Sequence, residues 1–337
     1  MCEIFERCNG LTIQNVRRTC RHWSRILGSH NFVTRVCTRW SSRGCFLFAH
    51  FGYSFTWTTS LDWIMKLDSR TGKVTEFTLS FLINHDGWFE VVGVENGVFC
   101  VRYCCLGSER FLLIWNPATG MFSKVKDPFD LYNGEPSFLY AFVHYPDSLD
   151  YAIIHVFYED YESPACTLAI YTTFRRNWDV TIPCPSYVHG LESTYVTLDE
   201  AVYWISDTVE GIAAHCHSIL AKDGHIYVAS NEHDEDTYHS VTWRLDQNGD
   251  DVQWVRLYKH HGNGTTYVPA VVADGAPIYI MEKHIDVEDL DELKFTNFDI
   301  YRYNEEDDTK TSLQMLKYDD DVDMRSLHLY QPSIYPV

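Results

Sequence analysis

The chain has 337 residues, 45% of them hydrophobic and 15% aromatic, and a formal net charge of −20. That length exceeds one small core, so it fits a small module joined to a large unit. The charge argues against nucleic acid and against an anionic membrane surface, because both require positive surface.

The charge is unevenly spread. Residues 1–43 hold eight Arg and two Glu, a net of +6, against −26 over the remainder. So sharp a shift marks a domain boundary. The 11 Cys are odd in number and contain no C-x-x-C pair, which fits a reducing compartment rather than a disulfide framework. MCEIFERCNG at the N-terminus lacks the apolar run of a signal peptide, and no later run reaches membrane-spanning length. The expected location is cytoplasmic, nuclear or both.

In chain order, Met1–Cys8 places Ile4, Phe5 and Cys8 on one side of a short helix, and Asn9-Gly10 breaks it. Between Thr12 and Leu27, Ile13, Val16, Cys20, Trp23, Ile26 and Leu27 recur at helical spacing. Thr12 suits the N-cap and Gly28 the stop. Arg17, Arg18, Arg21 and Arg25 lie mostly off the apolar stripe. On pattern alone this is a helical cap on its own domain or a basic amphipathic docking helix. A membrane surface or calmodulin is a weaker alternative.

Glu3–Trp23, EIFERCNGLTIQNVRRTCRHW, resembles the second half of an F-box, as found in plant F-box proteins. Glu3, Ile4, Arg7, Arg17, Cys20 and Trp23 match outright, and Asn31-Phe32-Val33 matches again further on. The family's opening Leu-Pro helix is missing, and Asn9, Gln14 and Thr19 stand where Pro, Leu and Val are usual. The resemblance implies a partial F-box over 1–43. Its adaptor-binding residues would be Ile4, Phe5, Cys8, Ile13, Val16, Cys20 and Trp23, and the adaptor would link it to a cullin.

From Cys45 onward helical periodicity gives way to short strands and turns. One recurring unit is a small residue leading an aromatic-rich strand: Gly97-VFCVRY, Ala201-VYWIS, Gly224-HIYVAS and Gly275-APIYIME. The other is strand, polar turn, strand, at 62–77, 111–125, 168–180, 241–255 and 298–315. Their leading strands, at Trp63, Ile114, Ile170, Trp243 and Ile300, are 51, 56, 73 and 57 residues apart. That spacing is close to a four-stranded blade, so the expected fold is mainly β: a helical F-box remnant, then a β-propeller-like domain of about five or six blades. The 73-residue gap holds an extra half blade built partly from Ala201–Ser206. A large open β-sandwich is the alternative.

Ile114-Trp-Asn-Pro-Ala-Thr119 is similar to a motif of the F-box-associated, kelch-like interaction domain, and Glu95-Asn-Gly97-VFCV resembles that family's CNGLLCL. The resemblance implies that 44–337 binds a protein substrate of an SCF-type ubiquitin ligase. The alternative is a propeller interaction module whose degenerate F-box no longer recruits a ligase.

No G-x-S-x-G, P-loop, H-E-x-x-H or dinucleotide glycine fingerprint is present, so no enzyme activity and no cofactor is expected. His215-Cys216-His217 has no second ligand pair, so no metal is expected. Asp246-Gln-Asn-Gly-Asp250 reads as a hairpin turn rather than a calcium loop. Trp57, Trp63, Trp88, Trp178 and Trp254 read mostly as blade core. The acidic stretch 286–323 reads as solvated loops, or as a patch steering a basic partner. The substrate-binding residues are not legible.

Overall fold

The computed structural model describes residues 2–41, 46–53, 63–68, 71, 73–77, 87–105, 110–128, 138–145, 148–158, 166–183, 195–198, 201–204, 216–234, 237–248, 251–262, 265–273, 276–286, 294–304, 309–319, 322–330, 332–335 and 337. Two compact units emerge: Met1–His50 with Trp57–Tyr187 and His328–Val337, and Phe51–Thr56 with Val188–Leu327.

Four helices come first: α1 (Cys2–Phe5), α2 (Gly10–Thr19), α3 (Arg21–Leu27) and α4 (His30–Ser41). Two expectations are corrected here. The N-cap of α2 is Asn9, not Thr12, because the extended Asn9 side chain accepts the Thr12 N–H at 2.8 Å. The stripe from Thr12 to Leu27 is also two helices rather than one. Thr19 bonds back to the Val16 carbonyl at 2.7 Å, and Cys20 is extended at φ −161° and ψ 160°, which ends the ladder. Gly28 does stop α3, its N–H reaching the Ser24 carbonyl at 3.0 Å. Phe32, Val33, Val36 and Trp40 form the buried stripe of α4. Glu6 ties the end of α1 to α4 through Arg35 at 3.3 Å and Arg39 at 3.7 Å.

The strands follow: β1 (Phe46–Tyr53), β2 (Trp63–Asp68), β3 (Val74–Phe77), β4 (Gly87–Glu95), β5 (Val98–Cys105), β6 (Phe111–Asn116), β7 (Met121–Lys126), β8 (Phe138–His144), β9 (Tyr151–Tyr158), β10 (Cys166–Thr172) and β11 (Asn177–Pro183). After them come β12 (Tyr195–Leu198), β13 (Ala201–Trp204), β14 (Cys216–Lys222), β15 (His225–Asp234), β16 (Thr237–Asn248), β17 (Asp251–Gly262), β18 (Thr265–Ala273), β19 (Ala276–Asp286), β20 (Lys294–Asn304), β21 (Thr309–Asp319) and β22 (Val322–Tyr330).

The fold is mainly β and propeller-like. Among the described residues the sheets run β22-β1-β2-β3, β4-β5-β6-β7, β8-β9-β10-β11, β14-β15-β16-β17 and β18-β19-β20-β21, with β12-β13 as a separate pair. Each four-stranded sheet but the first is an antiparallel meander of consecutive strands. The first is completed by the late strand β22. In the first unit β4 meets β8, and in the second β14 meets β18 and β12, so the first strands of neighbouring sheets adjoin.

All five strand–turn–strand segments form hairpins: β2/β3, β6/β7, β10/β11, β16/β17 and β20/β21. The four strands led by small residues become the second strands of their sheets. Asn96-Gly97 (φ 48° and 73°) and Asp223-Gly224 (φ 52° and 75°) both hold the positive φ pair that a tight, right-twisted hairpin turn demands.

Burial follows each strand's position. Phe111–Asn116 on the interior strand β6 is almost wholly buried, whereas on the outer strand β7 Phe122, Lys124 and Lys126 face out. Lysines on an outer edge discourage further strand pairing. Around them Phe48, Phe89, Phe99, Tyr103, Trp115 and Tyr330 build the core of the first unit. Phe48 meets Tyr330 at 4.7 Å and Phe99 at 5.0 Å, which fixes the late strand to the early ones. No helix among the described residues is long and apolar enough to cross a membrane.

Candidate functional site

The helices are seated on the turn between β6 and β7, within the first unit. Asn116 is wholly buried there and is the hub. Its Oδ1 accepts the Ala118 and Thr119 N–H groups at 3.0 and 3.3 Å. Its Nδ2 donates to the Ser333 carbonyl at 3.2 Å and the Tyr335 carbonyl at 2.9 Å. Gly120 closes the turn at φ 68°. The tail 332–335 thus lies against the turn, with the Tyr335 ring 5.1 Å from His144. The Ile334 backbone meets Cys37 of α4, whose thiol burial pushes up to about 11. The Trp-Asn-Pro-Ala-Thr motif therefore anchors backbone.

Gly10 opens α2 directly over this turn. A Cβ there would stand 2.4 Å from the Ala118 carbonyl oxygen, a backbone atom that cannot swing away. Gly10→Ala is expected to cost about 1–3 kcal/mol and to loosen the helices. Hydrogen exchange over residues 10–41 checks this, and unchanged protection would refute the close seat.

The residues expected to bind an adaptor divide by exposure. Ile13 is 1% exposed and packs inward with Gly10 and Gln14 on one face of α2. Ile4 is 65% exposed and Cys20 is exposed. Phe5, Cys8, Val16 and Trp23 are half-buried. Phe5 and Trp23 meet edge to face at 5.1 Å, joining α1 to α3. Leu11, absent from the expected set, is 56% exposed. Ile4 and Leu11 are thus apolar side chains that the chain leaves to solvent.

A second group is sealed between two sheets. The Tyr140 hydroxyl donates to Asp127 Oδ2 at 2.7 Å, and His155 Nδ1 stands 3.7 Å from Asp127 Oδ1. The His155 ring stacks on Tyr140 at 4.2 Å, and Arg102, paired with Glu90 at 3.2 Å, lies over the same tyrosine. Burial, with Arg102 and Arg110 nearby, depresses His155 to about 3 and keeps it neutral. His155 and Asp127 have almost no solvent access, so the group works as a buried polar junction.

A third feature is open. The β8–β9 and β10–β11 turns enclose a cleft of about 400 Å³ with Ile170 and Thr172 in its lining. Phe174 (79% exposed) and Tyr145 (46% exposed) are the most exposed of its apolar residues. Asp150, Arg175 and Asp179 complete the lining, and Arg175 donates to Asp179 at 2.7 Å. Ile170 marks a strand in the sequence, but nothing there joins these residues into a site, because two separate turns create the cleft.

Other motifs resolve plainly. Strands β16 and β17 pair as far as Asn248↔Asp251, so the Asp246 segment is a hairpin. Arg244 engages both Asp246 carboxylate oxygens and holds that acid low. His215 and Trp57 lie outside the described residues, as do the loops of the acidic stretch 286–323. Trp178 donates to the Lys126 carbonyl at 2.8 Å, bridging two sheets. No group of three or more His, Cys, Asp or Glu among the described residues is placed to hold a metal.

No protein-family model matches the sequence. No curated protein matches it either. Among solved structures, a periplasmic gluconolactonase of Pseudomonas aeruginosa is similar at 9% identity, over 86% of this chain and 100% of that one, with a TM-score of 0.38. The WD40 domain of SCAP from fission yeast is similar at 11% identity, over 77% and 72%, with a TM-score of 0.32. A thermostable family-43 glycoside hydrolase gives 11%, 85% and 90%, with a TM-score of 0.30. Likenesses this distant carry no argument about activity.

Proposed function

We propose that the chain is a substrate-recognition subunit of an SCF-type, cullin-based ubiquitin ligase, acting in the cytoplasm or nucleus. Helices α1–α3 dock the adaptor, and a β-propeller-like domain of five or six blades holds a protein substrate. Transfer chemistry belongs to other subunits. The observation that carries this reading is the exposure of Ile4 and Leu11 at 65% and 56% on helices already seated through Gly10, Ile13 and Leu27. The motifs resembling an F-box and its associated domain support it. Among the described residues, five four-stranded sheets and the β12–β13 pair support that reading.

A second reading, an interaction module with a degenerate F-box, is favoured by one observation. Ile13, at a position expected to contact the adaptor, is spent on the chain's own packing. A pull-down of the full chain with purified adaptor separates the two. Binding is expected, and the Ile4→Glu/Leu11→Glu double variant should weaken it at least about tenfold, since burying one leucine contributes ~1.5–3 kcal/mol. No binding at high micromolar adaptor leaves the second reading standing.

A further inference from the structure

We infer that the cleft between the β8–β9 and β10–β11 turns is a subsite for a cationic side chain, arginine or lysine, carried by a protein partner. This deepens the proposed role of the β domain as a substrate holder. Only the origin of the partner rests on that reading; the cleft chemistry stands apart from it.

The described residues of the two turns beside the cleft carry hydrogen bonds of their own. In the first, the Tyr145 N–H reaches the Asp150 carbonyl at 3.1 Å, and the Asp150 N–H reaches Ser148 Oγ at 3.0 Å. In the second, the Arg176 N–H reaches the Thr172 carbonyl at 2.8 Å. Thr173 joins them: its Oγ1 accepts the Tyr151 N–H at 2.8 Å, and its own N–H reaches the Tyr151 carbonyl at 2.9 Å.

The charges select the ligand. Arg175 is matched by Asp179 at 2.7 Å. Asp150 receives one long hydroxyl contact, from Thr173 at 3.4 Å, and makes no ion pair among the described residues. Its neighbour His144 does not neutralise it, because burial lowers that ring's pKa and leaves it uncharged at neutral pH. An unmatched carboxylate in a cleft rimmed by Phe174 and Tyr145 suits a cation, which gains both the ion contact and the ring faces. The net charge of −20 draws a basic partner and repels an acidic one.

The probe is the blocked tripeptide acetyl-Leu-Arg-Leu-amide, titrated into the full chain against its citrulline counterpart. Amide shifts over residues 145–151 and 172–179 provide the readout. The arginine peptide should bind in the millimolar range and weaken with salt, with the citrulline peptide at least about fivefold weaker. Asp150→Asn and Phe174→Ala should each lose about fivefold. Both positions are at least partly exposed, and unchanged circular dichroism confirms that the variants fold. Equal affinity for the two peptides, wild-type binding by both variants, or no shift at about 10 mM peptide overturns the subsite. Neither substitution touches the helices. Adaptor binding that fails while the arginine peptide binds refutes the ligase reading alone, and the converse refutes the subsite alone.

Discussion

Asn116→Ala is expected to lower the unfolding free energy of the first unit by about 4 kcal/mol. The side chain is wholly buried and makes four hydrogen bonds to backbone, two accepted and two donated. Alanine strands the Ser333 and Tyr335 carbonyls and removes the partner of the part-buried Ala118 N–H, while the Thr119 N–H keeps the Asn116 backbone carbonyl at 3.3 Å. Each stranded group costs ~1–3 kcal/mol before relaxation recovers a part. The damage reaches three elements at once: the β6–β7 turn, the tail 332–335 and, through Cys37 and Gly10, the helices. Asn116→Asp is the sharper control. It keeps the acceptor half but turns a carboxylate toward the Ser333 and Tyr335 carbonyls, so it should be no better than alanine. Urea unfolding followed by tryptophan fluorescence reports the loss, and hydrogen exchange of 332–335 reports the released tail. An unfolding free energy within about 0.5 kcal/mol of the wild type would sink the hub.

Acid should destabilise the first unit well above the range where carboxylates titrate. The folded His155 sits at about 3, against 6.5 for a free histidine. A depressed histidine is neutral when folded, so the unfolded chain binds the extra proton. Its contribution is complete above pH 6.5 and is lost as pH falls toward 3, at up to about 1.4 kcal/mol per pH unit. His328 adds in the same direction. Burial lowers it to about 4, against the pull of a backbone hydrogen bond at Val91. Asp127, 3.7 Å from His155 Nδ1, favours a charged ring. Burial prevails, because the other Asp127 oxygen is held by Tyr140 and because Arg102 and Arg110 add positive potential. Stability measured from pH 7 to 4.5 should fall steadily, and the His155 ring resonance should not titrate in that window. A ring titrating near 6.5 would refute the assignment.

The hairpins were legible because their cues are local. Alternation in Val241–Val255 and short apolar runs in Trp63–Phe77 and Phe111–Val125, with Gly or Asn at the turns, specify strand, turn and partner within a few residues. The break at Cys20 was hidden, because the apolar stripe runs on through Val16, Cys20 and Trp23 while the backbone does not. Helix α4 was obscured by Val33, Thr34, Val36 and Thr38, β-branched residues whose helical stripe shows itself only in burial.

The sites were less legible because they are assembled over distance. Asn116 stood out as part of a motif, but the partners that explain it lie 217 and 219 residues away. His155 in YAIIHVFY looks like one more strand residue; Tyr140 faces it across the β8–β9 pair, but Asp127 comes from the end of another sheet. Phe174 in a polar turn gives no sign that Tyr145 and Asp150 face it. Of the expected adaptor residues, exposure keeps Ile4 and Cys20 available and withdraws Ile13, a division that spacing alone cannot make.

The late strand β22 and the residues after it belong with the earliest parts of the chain. During synthesis, β1 emerges without its neighbour and the helices emerge without their clasp. At ordinary elongation rates the delay is on the order of tens of seconds. Through that interval β1 offers a bare edge built from FLFAHFGY, and an apolar unpaired edge invites association with other chains. The nascent chain therefore has a built-in need for shielding that the finished protein no longer shows. Its first unit can close only after the second has been made.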